Sequence, residues 1–186
     1  THTVTFWVFF AALAIMTMVL AGMVFHQTAL FEARGFSRSQ AVQVYQVVAL
    51  ASIVGNLSMG RLLDKFEPPW LTTLALSFLV GALIVVQTMQ SWWGAVGYGV
   101  LSGLCSGSFR VIDAVVWAKY FGRRNLGAIR GVTMFGTIGG TALGAYPLGW
   151  SVDHWGSYDP MLDVLVVLTI TIAVIVLFVK RPVLKK

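Results

Sequence analysis

The chain has 186 residues, of which 58% are hydrophobic and only 11% charged, with a formal net charge of +6. A soluble domain carries about 25% charged residues, so this composition, with a mean hydropathy of +0.81, points to a membrane protein and leaves no room for a soluble catalytic unit. Residues 1–31, 39–60, 68–109 and 131–152 contain no Asp, Glu, Lys or Arg, and one bilayer crossing needs roughly 20 apolar residues.

In chain order, the pattern predicts six transmembrane helices, at about 5–31, 38–61, 70–88, 92–118, 128–150 and 160–179. The first carries His26 and Gln27 near its end. The chain opens "THTVTFWVFF", with no initiator Met and no basic stretch ahead of the apolar run, a layout expected of a segment of a longer chain. Ser37 followed by Gln40 forms a capping-box signature for the second helix. Asn56 of that helix has two readings, a bond to a neighbouring helix or a place on a cavity wall.

Pro68 and Pro69 precede the third helix, and "TMQSWWG" is the turn into the fourth. The fourth and fifth helices carry Gly99, Gly103, Gly107 and Gly136, Gly140, Gly144, each set on one face. Such small-residue faces let helices approach closely in lipid, as static packing or as a sliding interface. Cys105 is read as a small packing residue. The fifth helix is expected to run unbroken to 150, and Asp159 with Pro160 reads as the cap and first-turn proline of the sixth.

Orientation follows from the basic residues. Arg61, Lys65, Lys119, Arg123, Arg124, Arg130, Lys180, Arg181, Lys185 and Lys186 fall on one side, against Arg34 and Arg38 on the other. The positive-inside rule places both termini in the cytoplasm, with residues 180–186 as a basic cytoplasmic tail. The net charge is therefore topological, and no nucleic-acid partner is expected. All seven tryptophans lie near predicted helix ends, where amphipathic rings settle.

Arg110 and Asp113 interrupt the fourth helix. At 100° per residue Arg110 lies within about 60° of the glycine face and of Asp113, and it sits roughly 13 Å along the axis from Lys119. An ionisable side chain at that depth pairs, faces a water-filled path or snorkels to the interface. Three readings follow: an intramembrane pair of Arg110 with Asp113, an anion contact by Arg110 in a central cavity, or snorkelling. Asp113 is also a candidate proton carrier. His26 is either a hydrogen-bonded packing residue or a relay or substrate contact. Asp153 and His154 fit a solvated outer turn better than a metal site. No H-E-x-x-H, G-x-S-x-G or P-loop is present, so neither an enzyme nor a resident cofactor or metal is expected.

Three stretches carry a family resemblance. "GRLLDKFEPPW" holds Gly60, Asp64 and Lys65 in a G-x-x-x-D-[RK] arrangement, "YFGRRNLGAIRG" is a basic turn with Arg123 and Arg124, and "GAYPLGWSVDHWGSYDP" contains a D-x-x-G-S-Y exit. In this order, with "FHQTALFEARGFSRSQA" before them, they resemble helices seven to twelve of the major facilitator superfamily. The His26 stretch and the G-S-Y exit look most like its monocarboxylate and oxalate/formate branch. The first motif departs from the family pattern, because Glu67, Pro68 and Pro69 stand where a glycine and two basic residues are usual.

The resemblance implies a fold of two inverted three-helix repeats, 5–88 and 92–179, forming half of a twelve-helix carrier in a bacterial inner membrane. It implies secondary active transport by alternating access against an N-terminal half, driven by a coupling proton or an exchanged anion. Arg110 points to a small organic anion such as a carboxylate, with Asp113, Asn56 and His26 as further substrate contacts. Gly60, Asp64, Lys65, Arg123 and Arg124 would be gating residues, Asp64 by engaging a helix terminus of the other half; the alternative for Asp64 is a solvated loop acid. The rival reading is a non-transporting scaffold or assembly subunit that uses the glycine faces as interaction surfaces.

Overall fold

The computed structural model describes residues 4–179; the expected basic tail, 180–186, lies outside them. The described chain forms α1 (Val4–Ala33), α2 (Arg38–Lys65), α3 (Pro68–Thr88), α4 (Trp92–Phe121), α5 (Leu126–Leu143), α6 (Ala145–Trp155) and α7 (Asp159–Leu177). α1, α2, α3, α4 and α7 are each long and apolar enough to cross a bilayer.

The expected fifth helix is divided into α5 and α6. Pro147, third in α6, has no N–H to give the Leu143 carbonyl four residues earlier, and its ring crowds that oxygen. Gly144 keeps right-handed helical dihedrals, φ −59° and ψ −39°, and its N–H turns back to Thr141 at 3.1 Å. The break is therefore a local interruption, with right-handed helical backbone kept through Gly144.

Local chemistry sets the other ends. The Ser37 capping box forms in both directions with Gln40. α1 closes in a Schellman turn: Gly35 takes φ +84°, and the Phe36 N–H reaches the Phe31 carbonyl at 3.0 Å while the two rings pack 5.6 Å apart. Pro68 and Pro69 are the first residues of α3. Asp159 is not a cap: Tyr158 holds the N-cap position without a side-chain bond, and the Asp159 carboxylate is taken by Arg34. Arg34 also donates from Nε to the Val86 carbonyl at 3.2 Å, joining the ends of α1 and α3 to the start of α7.

α4 is the central helix, packed chiefly on α2 and α3, while α1 packs on α5 and α3 on α7. α1 and α4 run antiparallel: Phe6 meets Trp117 at 5.3 Å, and Phe31 meets Tyr98 at 5.5 Å. Trp117 is fully buried in this contact, so it is a core residue and not the interfacial ring its position near a helix end suggested.

The glycine faces settle two parallel crossings. A Cβ on Gly103 would lie 2.5 Å from the Val48 carbonyl oxygen, and one on Gly107 would collide with the Ser52 carbonyl, so α4 rides directly on α2. A Cβ on Gly140 would lie 2.5 Å from the Ala14 carbonyl, and one on Gly144 2.5 Å from that of Met18, so α5 rides on α1 in the same way. Without the hydrophobic effect to drive association in lipid, this close backbone approach supplies packing.

Candidate functional site

On α4, Ser102, Ser106, Phe109, Arg110 and Asp113 share an arc of about 100°, and two cavities open in succession along it. The first, about 320 Å³, is enclosed by α1, α2 and α4 and is lined by Gln27, Tyr45, Ser52, Tyr98, Ser102, Ser106 and Arg110, among others. The second, about 730 Å³, lies between α1, α4 and α5, with Thr17, Phe109, Asp113, Arg130, Thr137 and Thr141 in its wall. On α1 the order agrees: Thr17 borders the second cavity, and Leu20, Met23, Val24 and Gln27 border the first.

The first cavity has a fixed polar wall. Gln27 is buried, donating to the Ala41 carbonyl at 2.8 Å and accepting from the Tyr98 hydroxyl at 3.4 Å. The Tyr45 hydroxyl donates to the Val24 carbonyl at 2.9 Å. Ser52 and Ser106 give their protons to Ala49 and Gly103 of their own helices, which leaves their oxygens as acceptors. Among the described residues, Arg110 is the only charged one in this lining.

Arg110 also borders a smaller cavity of about 180 Å³ with Ser52, Asn56 and Gly107. Two residues singled out in the sequence, Arg110 and Asn56, are thus brought to one place. The guanidinium makes no hydrogen bond or ion pair with any described residue.

The expected pair of Arg110 with Asp113 does not form. Asp113 accepts from Arg130 Nη1 at 2.7 Å and from Trp117 Nε1 at 3.0 Å. Trp117, one turn further along α4, and Arg130 across the α4–α5 interface use both carboxylate oxygens, while Arg110 looks toward α2. Arg130, counted from the sequence only among the basic residues of one membrane side, is therefore an α5 residue in the cavity wall. The signal that would have placed it is the spacing of Arg130, Thr137 and Thr141, which puts a polar stripe on one face of α5.

His26 borders neither cavity and faces α6 and α7. Its Nε2 lies 3.0 Å from the Ala145 carbonyl and its Nδ1 3.3 Å from the Tyr158 hydroxyl. A carbonyl only accepts, so Nε2 carries a proton, and in the neutral ring Nδ1 accepts from Tyr158. Burial, with a smaller contribution from the Asp153 carboxylate, pushes the Tyr158 phenol above its ordinary range, which keeps it the donor of that bond.

The proposed gating residues cluster at one end. Asp64 and Lys65 are exposed at the close of α2, and Arg123 and Arg124 are exposed between α4 and α5. A Cβ on Gly60 would meet open space. Beside this loop, Lys119 Nζ of α4 donates to the Leu63 and Phe66 carbonyls at 3.2 and 3.4 Å, and the Tyr120 hydroxyl reaches Glu67 at 3.2 Å.

The arrangement is that of a multi-pass membrane protein with a single cation on a polar cavity between helices. A sequence profile of the Major Facilitator Superfamily matches residues 5–186, and the chain belongs to that superfamily of membrane transporters. It is also similar to the 3-(3-hydroxy-phenyl)propionate transporter of Escherichia coli (strain K12), with 31% identity over 71 residues. That stretch covers 38% of this chain and 18% of the relative's length.

Proposed function

We propose that the chain is the C-terminal six-helix half of a secondary active transporter for a small organic anion, in which Arg110 contacts the substrate carboxylate. The observation that carries this reading is the Arg110 guanidinium, set within α4, free of any described partner and facing a polar cavity that holds no acid. An unpaired charge near the centre of a transmembrane helix costs about 2.5–3.5 kcal/mol on insertion scales, and such residues mark substrate pathways. The relative's name denotes an aromatic carboxylate, a chemistry that suits a guanidinium on a cavity whose wall also carries the apolar Leu20, Met23, Val24 and Val48. The likeness of the His26 stretch to monocarboxylate and oxalate/formate carriers points the same way.

Two inverted three-helix repeats receive support from the helix pairing. Exchanging α1 with α4 and α2 with α5 turns the parallel glycine crossing of α4 on α2 into that of α1 on α5. Repeats of this kind place substrate near the midplane and give alternating access by rocking against a second half, with a proton or an exchanged anion as the driving partner. We place the end bearing Lys65, Lys119, Arg123 and Arg124 in the cytoplasm of the inner membrane, where Asp64 is free to engage the other half.

The scaffold reading loses its main support, because the glycine faces of α4 and α5 are consumed inside the chain by α2 and α1. The testing experiment is uptake of labelled aryl and alkyl carboxylates by the full-length protein in proteoliposomes. Saturable uptake abolished by Arg110→Gln at normal abundance supports the proposal, and uptake that ignores the substitution removes it.

A further inference from the structure

Beyond the carboxylate contact, the second cavity has a chemistry of its own. Its two charged residues, Asp113 and Arg130, neutralise each other, so it offers no net attraction to an anion. Neither is saturated. A carboxylate has about four lone-pair sites and a guanidinium five N–H donors; among the described residues Asp113 uses two sites, on Trp117 and Arg130, and Arg130 commits one donor, Nη1. Both side chains remain partly open, 23% and 33% exposed. Around them stand the Phe109 ring and the hydroxyls of Thr17, Thr137 and Thr141, each of which gives its proton to a carbonyl of its own helix.

A site that presents an acceptor and donors side by side, within an apolar and aromatic wall, is matched by a group that both donates and accepts. That group is a hydroxyl. Asp113 follows Arg110 by three residues, a rise of roughly 4.5 Å along α4, so one elongated molecule can reach both stations.

We infer that the Asp113–Arg130 pair is a specificity-determining contact that reads a hydroxyl on the far end of the carboxylate substrate, selecting hydroxylated acids over their plain counterparts. This rests on Arg110 holding the carboxylate. The hydroxyl donates to a free Asp113 lone pair and accepts from an unused Arg130 N–H, and no proton is transferred. A ligand without it leaves both groups to water, because the cavity is open.

The test uses the full-length transporter and a matched pair of arylpropionates, with and without a ring hydroxyl. The wild-type protein is expected to favour the hydroxylated acid by about tenfold in kcat/KM, the net worth over water of one hydrogen bond to a charged group. Asp113→Asn and Arg130→Gln are expected to bring the ratio near one, slowing the hydroxylated acid more than the plain one. If either fails to accumulate, Arg130→Lys, which keeps a cation beside Asp113 but loses the planar fork, takes its place with the same expected direction.

An unchanged ratio, with both acids slowed alike, would make the pair a packing feature and overturn the inference. Equal wild-type transport of the two acids would also overturn it, leaving the Arg110 proposal intact. Failure of the wild-type protein to transport or bind either acid would instead remove the organic-anion reading on which it rests.

Discussion

Asp113 stands three residues from Arg110 on α4, yet its carboxylate is bonded to Arg130 of α5, 2.7 Å away. The pair fastens two helices and leaves Arg110 uncompensated. One interaction thus accounts for both the α4–α5 contact and the electropositive cavity on the other side of the arc.

Removing one partner of that pair strands the other. Breaking a fully buried ion pair costs 3–5 kcal/mol, and these side chains are partly exposed, so about 1–3 kcal/mol is expected for Asp113→Ala or Arg130→Ala. The double variant is expected to be less damaged than the sum of the two. Unfolding of the purified full-length protein in mixed micelles, run as a double-mutant cycle, measures the coupling, and strict additivity would deny the bond.

Arg110 behaves differently because nothing in the described fold depends on its charge. Arg110→Lys keeps the charge and loses the planar fork that grips a carboxylate. We expect membrane abundance to hold while KM for a transported carboxylate rises by about tenfold, roughly the 1.4 kcal/mol of one charge-assisted bond. Immunoblotting beside initial-rate uptake separates the two quantities, and a collapse in abundance would assign Arg110 to structure.

The glycines divide into those that are pressed and those that are not. Gly107 has the Ser52 carbonyl where a Cβ would go, whereas Gly127 has open space. Overpacking typically costs 1–3 kcal/mol, so Gly107→Ala should lower thermal stability by at least about that amount, while Gly127→Ala, in an exposed first turn, should leave it unchanged or slightly raised. Differential scanning fluorimetry of the two variants decides, and equal behaviour would contradict the close crossing.

His26 is expected to act through the fold. Tyr158→Phe removes one hydrogen bond to Nδ1, worth about 1 kcal/mol, and His26→Phe removes both bonds and costs more. Neither is expected to change KM for substrate. A KM raised several-fold by His26→Gln at normal stability would return His26 to the substrate path.

Five of the six expected crossings were legible in the sequence because lipid imposes long uncharged runs, and the Ser37–Gln40 cap and both glycine faces rest on local spacing. What failed to show is tertiary. Asp113 and Arg130 are seventeen residues apart with a helix turn between them, and helical phase alone favoured the nearer Arg110. Trp117 is close to a helix end, as an interfacial ring would be, but Phe6 and Phe121 cover it. The split at Gly144 was foreshadowed by Pro147, whose effect falls four residues upstream. Arg110 and Asn56 meet because α2 and α4 run parallel, a relation set by long-range packing.

The most direct measurement is counterflow of a labelled carboxylate by the full-length transporter in proteoliposomes, comparing wild type with Arg110→Gln at matched protein density. The proposal expects saturable exchange in the wild type and its loss in the variant, with folding unchanged by thermal melt. Equal exchange by both proteins would contradict an anion site at Arg110.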